Sequence, residues 1–229
     1  MHNKTRLTTA AILMACIASL SGCATTDAKM PTETHDGLSL VPNTKFQEMY
    51  LRPNADIGTY TELGLAPCKV AFKKNWLRNQ NFNRVDLTNR VTQKDVDRIK
   101  DRLSEACDEQ FRAALLEDPA YKLVDTFNDG EEVLIIHPSI INLDISAPDV
   151  SAPGISRTYT TSSGEMTLSL ELTDATTGEI LARAIDKRRG LDQNRLQWTN
   201  SVTNKADAQR TLKRWAKILR EGLDEARTQ

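Results

Sequence analysis

Aromatic side chains are scarce in this 229-residue sequence, where Phe, Trp and Tyr together make up 5%. That scarcity speaks against an extended surface for stacking sugars or bases, which depends on aromatic faces. Histidine is scarcer still, with three residues in all, and neither His35 nor His137 has a neighbour at metal-ligand spacing. No HExxH, CxxC or GxSxG pattern occurs, and no glycine-rich loop of the kind that cradles phosphate. We therefore expect no cofactor, no bound metal and no catalytic residue. Charge of one sign is lacking too: 30 Lys and Arg stand against 31 Asp and Glu, so nothing points to nucleic acid as a partner. No repeat of solenoid period is present. After residue 23, no apolar run approaches the roughly 20 residues that cross a bilayer.

The N-terminus is better supplied. A basic start with Lys4 and Arg6 leads into an apolar run from Leu7 to Leu20, followed by Ser21, Gly22 and Cys23. These are the parts of a secretory signal. A cysteine straight after small residues makes it a lipoprotein signal, because its thiol can be acylated before the peptidase cuts. The reading is a signal peptide over residues 1–22 and a lipid anchor on Cys23, each acyl chain adding about 0.8 kcal/mol per buried methylene. The competing reading is an ordinary signal or signal anchor with an incidental cysteine. Ala24 and Thr25 follow, not aspartate. By resemblance to enterobacterial lipoproteins, that favours the outer membrane of a Gram-negative cell, with the domain facing the periplasm. Loss of Lys4 and Arg6 with the signal lowers Lys and Arg from 30 to 28 against an unchanged 31 acidic residues, a mildly acidic mature chain.

Of four cysteines, Cys16 leaves with the signal and Cys23 takes lipid, so Cys68 and Cys107 remain. In an oxidising periplasm such a pair usually closes; the alternative is two buried free thiols.

Residues 23–45 are polar and aperiodic and read as the lipidated cysteine and a flexible tether, whose roughly 20 residues span about 25 Å as a random coil. Residues 46–229 read as a single domain. Pro67 to Phe72 looks like a first strand. Thr92 then caps a helix with Asp95 three residues on, and Val96, Ile99, Leu103, Cys107, Phe111 and Ala114 share one face until Pro119 stops it. Tyr121 to Val124 and Glu132 to Ile145 read as strands, the second broken at Pro138. Met166, Leu168, Leu170 and Leu172 alternate with polar residues in a half-buried strand, and Glu179 to Lys187 returns beside it. A polar stretch from Gly190 to Asn204 precedes a last helix over 205–226, with Ala208, Leu212, Trp215, Leu219 and Leu223 inward. The order β-α-β-β-β-β-α predicts an α+β fold, with a mostly antiparallel or mixed sheet and two helices packed on one face.

Chemistry-bearing candidates are few. His137 reads as a partly buried strand residue. Asp144, Asp149 and Glu165 could form a carboxylate site, though acids flanking strands are commonly solvated ends. Arg210, Lys213, Arg214, Lys217 and Arg220 recur at three and four on the last helix, opposite its apolar stripe. They form either a contact face for anionic lipid, wall polymer or acidic protein, or a solvated surface. Trp198, among amides and hydroxyls that include Asn200, is either a glycan-stacking platform or a loop anchor. Tyr159, between threonines, poses the same choice.

Several segments look familiar: Tyr50-Leu51-Arg52-Pro53, Ala147-Pro148-Asp149, Gly164-Glu165-Met166, and Gln197 to Asn204 leading into Arg214-Trp215-Ala216. Through them the chain resembles the proteobacterial lipoprotein family called domain of unknown function three-three-one-three. The resemblance covers most of residues 46–226 and implies a secreted, lipid-anchored domain, with no activity or catalytic residue to carry over. We expect a non-catalytic accessory subunit of an envelope complex, bound to a protein partner or to itself. A peptidoglycan- or glycan-binding module centred on Trp198 is the first alternative, and an envelope hydrolase built on the three carboxylates the second.

Overall fold

The computed structural model describes residues 30–82, 90–126, 132–145, 158–160, 164–189, 197–199 and 201–228. All but Met30 belong to a unit spanning Pro31–Gln229; Met1–Met30 is a separate one.

Eight strands form one mixed sheet: β1 (Ser39–Leu40), β2 (Glu48–Leu51), β3 (Glu62–Leu65), β4 (Lys69–Phe72), β5 (Lys122–Val124), β6 (Val133–Ile145), β8 (Gly164–Asp174) and β9 (Ile180–Arg189). Two more, β7 (Thr158–Thr160) and β10 (Gln197–Thr199), make a separate antiparallel ribbon. The large sheet has the order β1-β2-β9-β8-β6-β3-β5, with β4 also pairing β6. Strands β3 and β4 run parallel to β6, as β5 does to β3, while the β1-β2-β9-β8-β6 side is antiparallel. The α+β expectation therefore holds.

The period-two pattern explains which face is buried. Leu168, Leu170 and Leu172 of β8 stand opposite Ile140, Pro138 and Ile136 of β6, and opposite Asp186, Ala184 and Ala182 of β9. These side chains point to one face, and two helices cover it. Helix α2 (Gln93–Leu115) starts in a full capping box: the Thr92 side chain accepts from the Asp95 N–H, and the Asp95 carboxylate accepts from the Thr92 N–H. It buries Val96, Cys107, Phe111, Ala114 and Leu115. Helix α3 (Ser201–Arg227) buries Leu212, Trp215, Leu219 and Leu223.

Five local expectations change. The domain begins earlier than residue 46, because from Thr32 the chain already belongs to it: Leu38 is fully buried, the Leu40 N–H donates to the Thr32 carbonyl, and Asp36 forms an ion pair with Arg183 at 2.8 Å. This segment's polar composition hid one anchoring leucine and one buried-side ion pair; residues 24–29 lie outside the described residues. The expected first strand from Pro67 is the fourth: β1, β2 and β3 precede it, and β4 follows β3 along β6 after a break at Ala66–Cys68. Strand β6 runs through Pro138 unbroken. The Ile136 carbonyl accepts from the Ala66 N–H at 2.9 Å, so residues of that parity turn their backbone toward β3 and β4. The N–H that Pro138 lacks thus falls where the partner strand is itself interrupted. Finally, a short helix α1 (Trp76–Asn81) occupies a stretch that looked merely polar, and α3 begins at Ser201 inside the expected loop.

Cys68 and Cys107 are joined in a disulfide with Cα atoms 6.1 Å apart. Two hydrogen bonds flank it: the Ser104 hydroxyl donates to the Cys68 carbonyl at 2.7 Å, and the Cys68 N–H donates to Asp108 at 2.8 Å. One face of α2 thereby grips the break between β3 and β4. Closing a 39-residue separation should stabilise the fold by about 4 kcal/mol on the loop-entropy model. Urea unfolding with and without reductant measures this, and coincident midpoints would contradict it.

Candidate functional site

The surface built most directly from the sequence pattern is a ridge along α3. Arg210, Lys213, Arg214 and Lys217 are all exposed. Arg210 is paired with Asp207, and Lys217 lies 3.8 Å from Glu221. Lys213 and Arg214 have no acidic partner among the described residues. Further along the same ridge, Lys45 reaches Glu221 at 3.0 Å and Glu225 at 3.3 Å. The hydrogen bond from Lys45 is the leading cause of a lowered Glu221 pKa.

Arg220 does not belong to that ridge, contrary to the helical spacing. It is 6% exposed and turned inward. Its Nη1 donates to the carbonyls of Ala114, Leu115 and Glu117, and its Nη2 to that of Pro119 at 2.6 Å. Its Nε pairs with Asp224 at 3.0 Å, and its guanidinium lies 4.5 Å from the centre of the Tyr121 ring. An α-helix ends with unsatisfied carbonyls and a partial negative charge. Arg220 supplies both the donors and the cation, so it clasps the end of α2. Burial pushes the Asp224 carboxyl up, yet bonds from Tyr121 and Arg220 outweigh this and hold it below its ordinary value. Burial also pushes the Tyr121 hydroxyl up to about 12, with its bond to Asp224 adding to the effect.

A second polar centre lies inside the core. Asp186, 1% exposed, accepts from the Trp215 ring N–H at 2.6 Å, the Gln47 N–H at 3.1 Å and the Arg188 Nε at 2.6 Å. The carboxylate ties β9 to α3 and to the chain entering β2. Nothing in the sequence marks it except an acid at an inward position of β9. Trp76 makes the contrast: it is 3% exposed beside Phe72, Val91 and Val96, and its ring N–H has no partner among the described residues.

The carboxylate candidates are only partly assembled. Asp144 and Glu165 are opposite each other across β6 and β8. Gly164, at φ 142°, lets the strands meet there, since a Cβ on it would lie 2.3 Å from the Asp144 carbonyl oxygen. Asp144 is paired with Lys73 at 3.1 Å, and Glu165 with Lys187 at 2.9 Å and Arg189 at 3.3 Å. Burial opposes ionisation of Glu165, but those two cations bring its pKa below the ordinary value. Asp149 lies outside the described residues. Among the described residues no group of His, Cys, Asp and Glu is arranged to hold a metal. Burial lowers the pKa of His137, whose Nε2 is 2.9 Å from the Thr173 hydroxyl. Asn200, Cys23 and the signal segment lie outside the described residues. Trp198 falls on the ribbon, directly opposite Tyr159 in the β7–β10 register.

The architecture is thus an open mixed sheet with two long helices on one face. A family model described as a protein of unknown function (DUF3313) matches residues 35–219, and the chain belongs to that family. No curated protein matches it. Among solved structures it is similar to a PelC L103M dodecamer from Paraburkholderia phytofirmans, at 10% identity over 75% of this chain and 94% of that one, TM-score 0.34. It is also similar to a minor lipoprotein from Acinetobacter baumannii, at 9% identity over 73% and 95% respectively, TM-score 0.36. A third is a PDZ domain protein from Parabacteroides distasonis, at 10% identity over 75% of this chain and 34% of that one, TM-score 0.38. At such scores these likenesses bear on neither ligand nor assembly.

Proposed function

We propose that this protein is a lipoprotein held at the outer membrane by acyl chains on Cys23, facing the periplasm. There it works by binding, as a non-catalytic accessory subunit of an envelope assembly. The observation that supports this most is the α3 ridge, four exposed cations of which Lys213 and Arg214 lack acidic partners among the described residues. Such a row suits an acidic envelope component. A second reading, glycan or peptidoglycan binding, is favoured by the pairing of Trp198 with Tyr159 on one ribbon. A carboxylate hydrolase fits less well. A glycosidase acid needs a raised pKa, whereas Glu165 is shifted down.

Cross-linking in intact envelopes tests the reading. The lipidated protein should pellet with membranes and carry a reproducible set of neighbours. The double variant Arg214→Glu/Lys217→Glu should still pellet but lose that set. Cys23→Ala should leave the protein unanchored. Wall fragments alone among the neighbours would shift the weight to glycan binding, and continued pelleting of Cys23→Ala would sink the lipoprotein reading.

A further inference from the structure

Six of the domain's cations, Lys187, Arg189, Arg210, Lys213, Arg214 and Lys217, lie toward one end and one edge, and the chain enters along that same edge. Val96, in the first turn of α2, packs in a cluster with Trp76 and Ile145, the last residue of β6. Arg220, late in α3, reaches the last carbonyls of α2. Both helices therefore run in the same direction, away from the Ile145 end. Ile145 pairs with Gly164 and Glu165 with Arg189, which places Lys187 and Arg189 at that end too. These two share a single carboxylate, Glu165. Arg210, Lys213 and Arg214 occupy the first half of α3 and so extend the same cationic zone along the helix.

The ridge also lies on the side where the chain enters. Arg214, Glu221 and Glu225 are seven and eleven residues apart on one helical face, and Lys45, just before β2, bonds both glutamates. That face of α3 therefore borders the β1–β2 edge. On the edge itself the Thr32 carbonyl accepts from the Leu40 N–H, and Leu40 pairs with Tyr50, which pairs with Arg183. Followed backward from Thr34 through Thr32, the chain heads along β9 toward Ile185 and Lys187.

From Cys23 to Pro31 is eight residues, which reach at most about 28 Å at about 3.5 Å each, far less than a tether running to residue 45 allows. A lipid at Cys23 would thus hold Pro31 within that reach of the membrane, whose anionic headgroups attract Lys and Arg within about a Debye length, roughly 8–10 Å.

Resting on the lipoprotein reading, we propose that the ridge formed by Arg210, Lys213, Arg214 and Lys217, with Lys187 and Arg189, docks on anionic lipid headgroups of the membrane that holds Cys23. The acidic envelope component that the ridge meets is then the lipid surface itself, and the neighbours lost on reversing its charge are those the domain meets once so oriented, with the Arg220 end pointing away from lipid.

The test uses the lipidated full chain, reconstituted into phosphatidylcholine vesicles with and without a third of phosphatidylglycerol. A donor fluorophore is attached through Lys205→Cys at the ridge end or Ala120→Cys at the opposite end, and an acceptor is carried on the lipid headgroups. Transfer from position 205 should exceed that from position 120 about threefold on the anionic vesicles, and the excess should collapse at about 0.5 M salt. Adding Lys213→Glu/Arg214→Glu should abolish the excess while the protein stays on the vesicles. Equal transfer from the two positions, or the same excess on pure phosphatidylcholine, overturns the docking while leaving the anchor intact; a ridge reserved for a protein partner gives that result. Loss of the protein from both kinds of vesicle overturns the anchor reading, and the docking with it.

Discussion

Replacing Arg220 with alanine should lower the unfolding free energy by about 3–5 kcal/mol, the scale for removing one member of a buried ionic network. The side chain donates to four backbone carbonyls between Ala114 and Pro119 and to Asp224. Bonds to a charged group contribute about 1.5–3 kcal/mol each when made singly, and less when water can replace the donor. Arg220→Lys should recover less than half of the loss, because an ammonium cannot spread its donors over that arc. Urea unfolding measures both, and a loss below about 1 kcal/mol would mean that water serves the end of α2 as well as the guanidinium does. The clasp is also acid-sensitive. Asp224 has its carboxyl held below the ordinary 3.8, so its contribution is complete above that value and is lost as the pH falls through the lower folded one.

The second large effect should come from Asp186. Asp186→Ala removes a buried carboxylate and leaves the Trp215 ring N–H, the Gln47 N–H and the Arg188 guanidinium without their acceptor. We expect a loss of about 3–5 kcal/mol. Asp186→Asn keeps an acceptor oxygen and should cost less than half as much. A double-mutant cycle with Trp215→Phe isolates the ring bond, which should show a coupling of about 1.5–3 kcal/mol, the range for a hydrogen bond to a charged group. Additive losses in that cycle would show that the carboxylate acts through Arg188 and the Gln47 backbone instead.

Both residues show where the sequence runs out as a guide. Helix α2 was legible because its capping box and apolar spacing are local, and β8 because Met166 to Leu172 alternate strictly. Arg220 was misread for the opposite reason. Spacing alone set it with Arg210 and Lys217, and only the arrival of the α2 carbonyls from a distant part of the chain turns it inward. Asp186 occupies an inward position of β9 where the pattern calls for an apolar residue. Its partners, Trp215 and the Gln47 N–H, belong to elements whose neighbourhood no local pattern reveals. The segment from Thr32 to Lys45 was hidden by composition, since a single buried leucine and the Asp36–Arg183 pair dock it. Of the proposed contact surface, the α3 ridge was readable from its spacing, whereas Lys187 and Arg189 joined it only once the register of β8 and β9 was known.

The strand order carries a consequence for how the chain is made. Glu48–Leu51 pairs on one side with β1, a two-residue strand close by, and on the other with Leu51↔Ala182 through Glu48↔Ile185. A chain that emerges N-terminus first therefore displays β2 with one row of backbone groups unpaired until more than a hundred later residues have followed. Long-range pairings of this kind slow folding, and an open strand edge invites pairing with other chains in the meantime. The β2–β9 pairing can close only once β9 has emerged. The residues that appear first are thus among the last to settle, and the end of the chain, with Arg220, seals the helix that precedes it by a hundred positions.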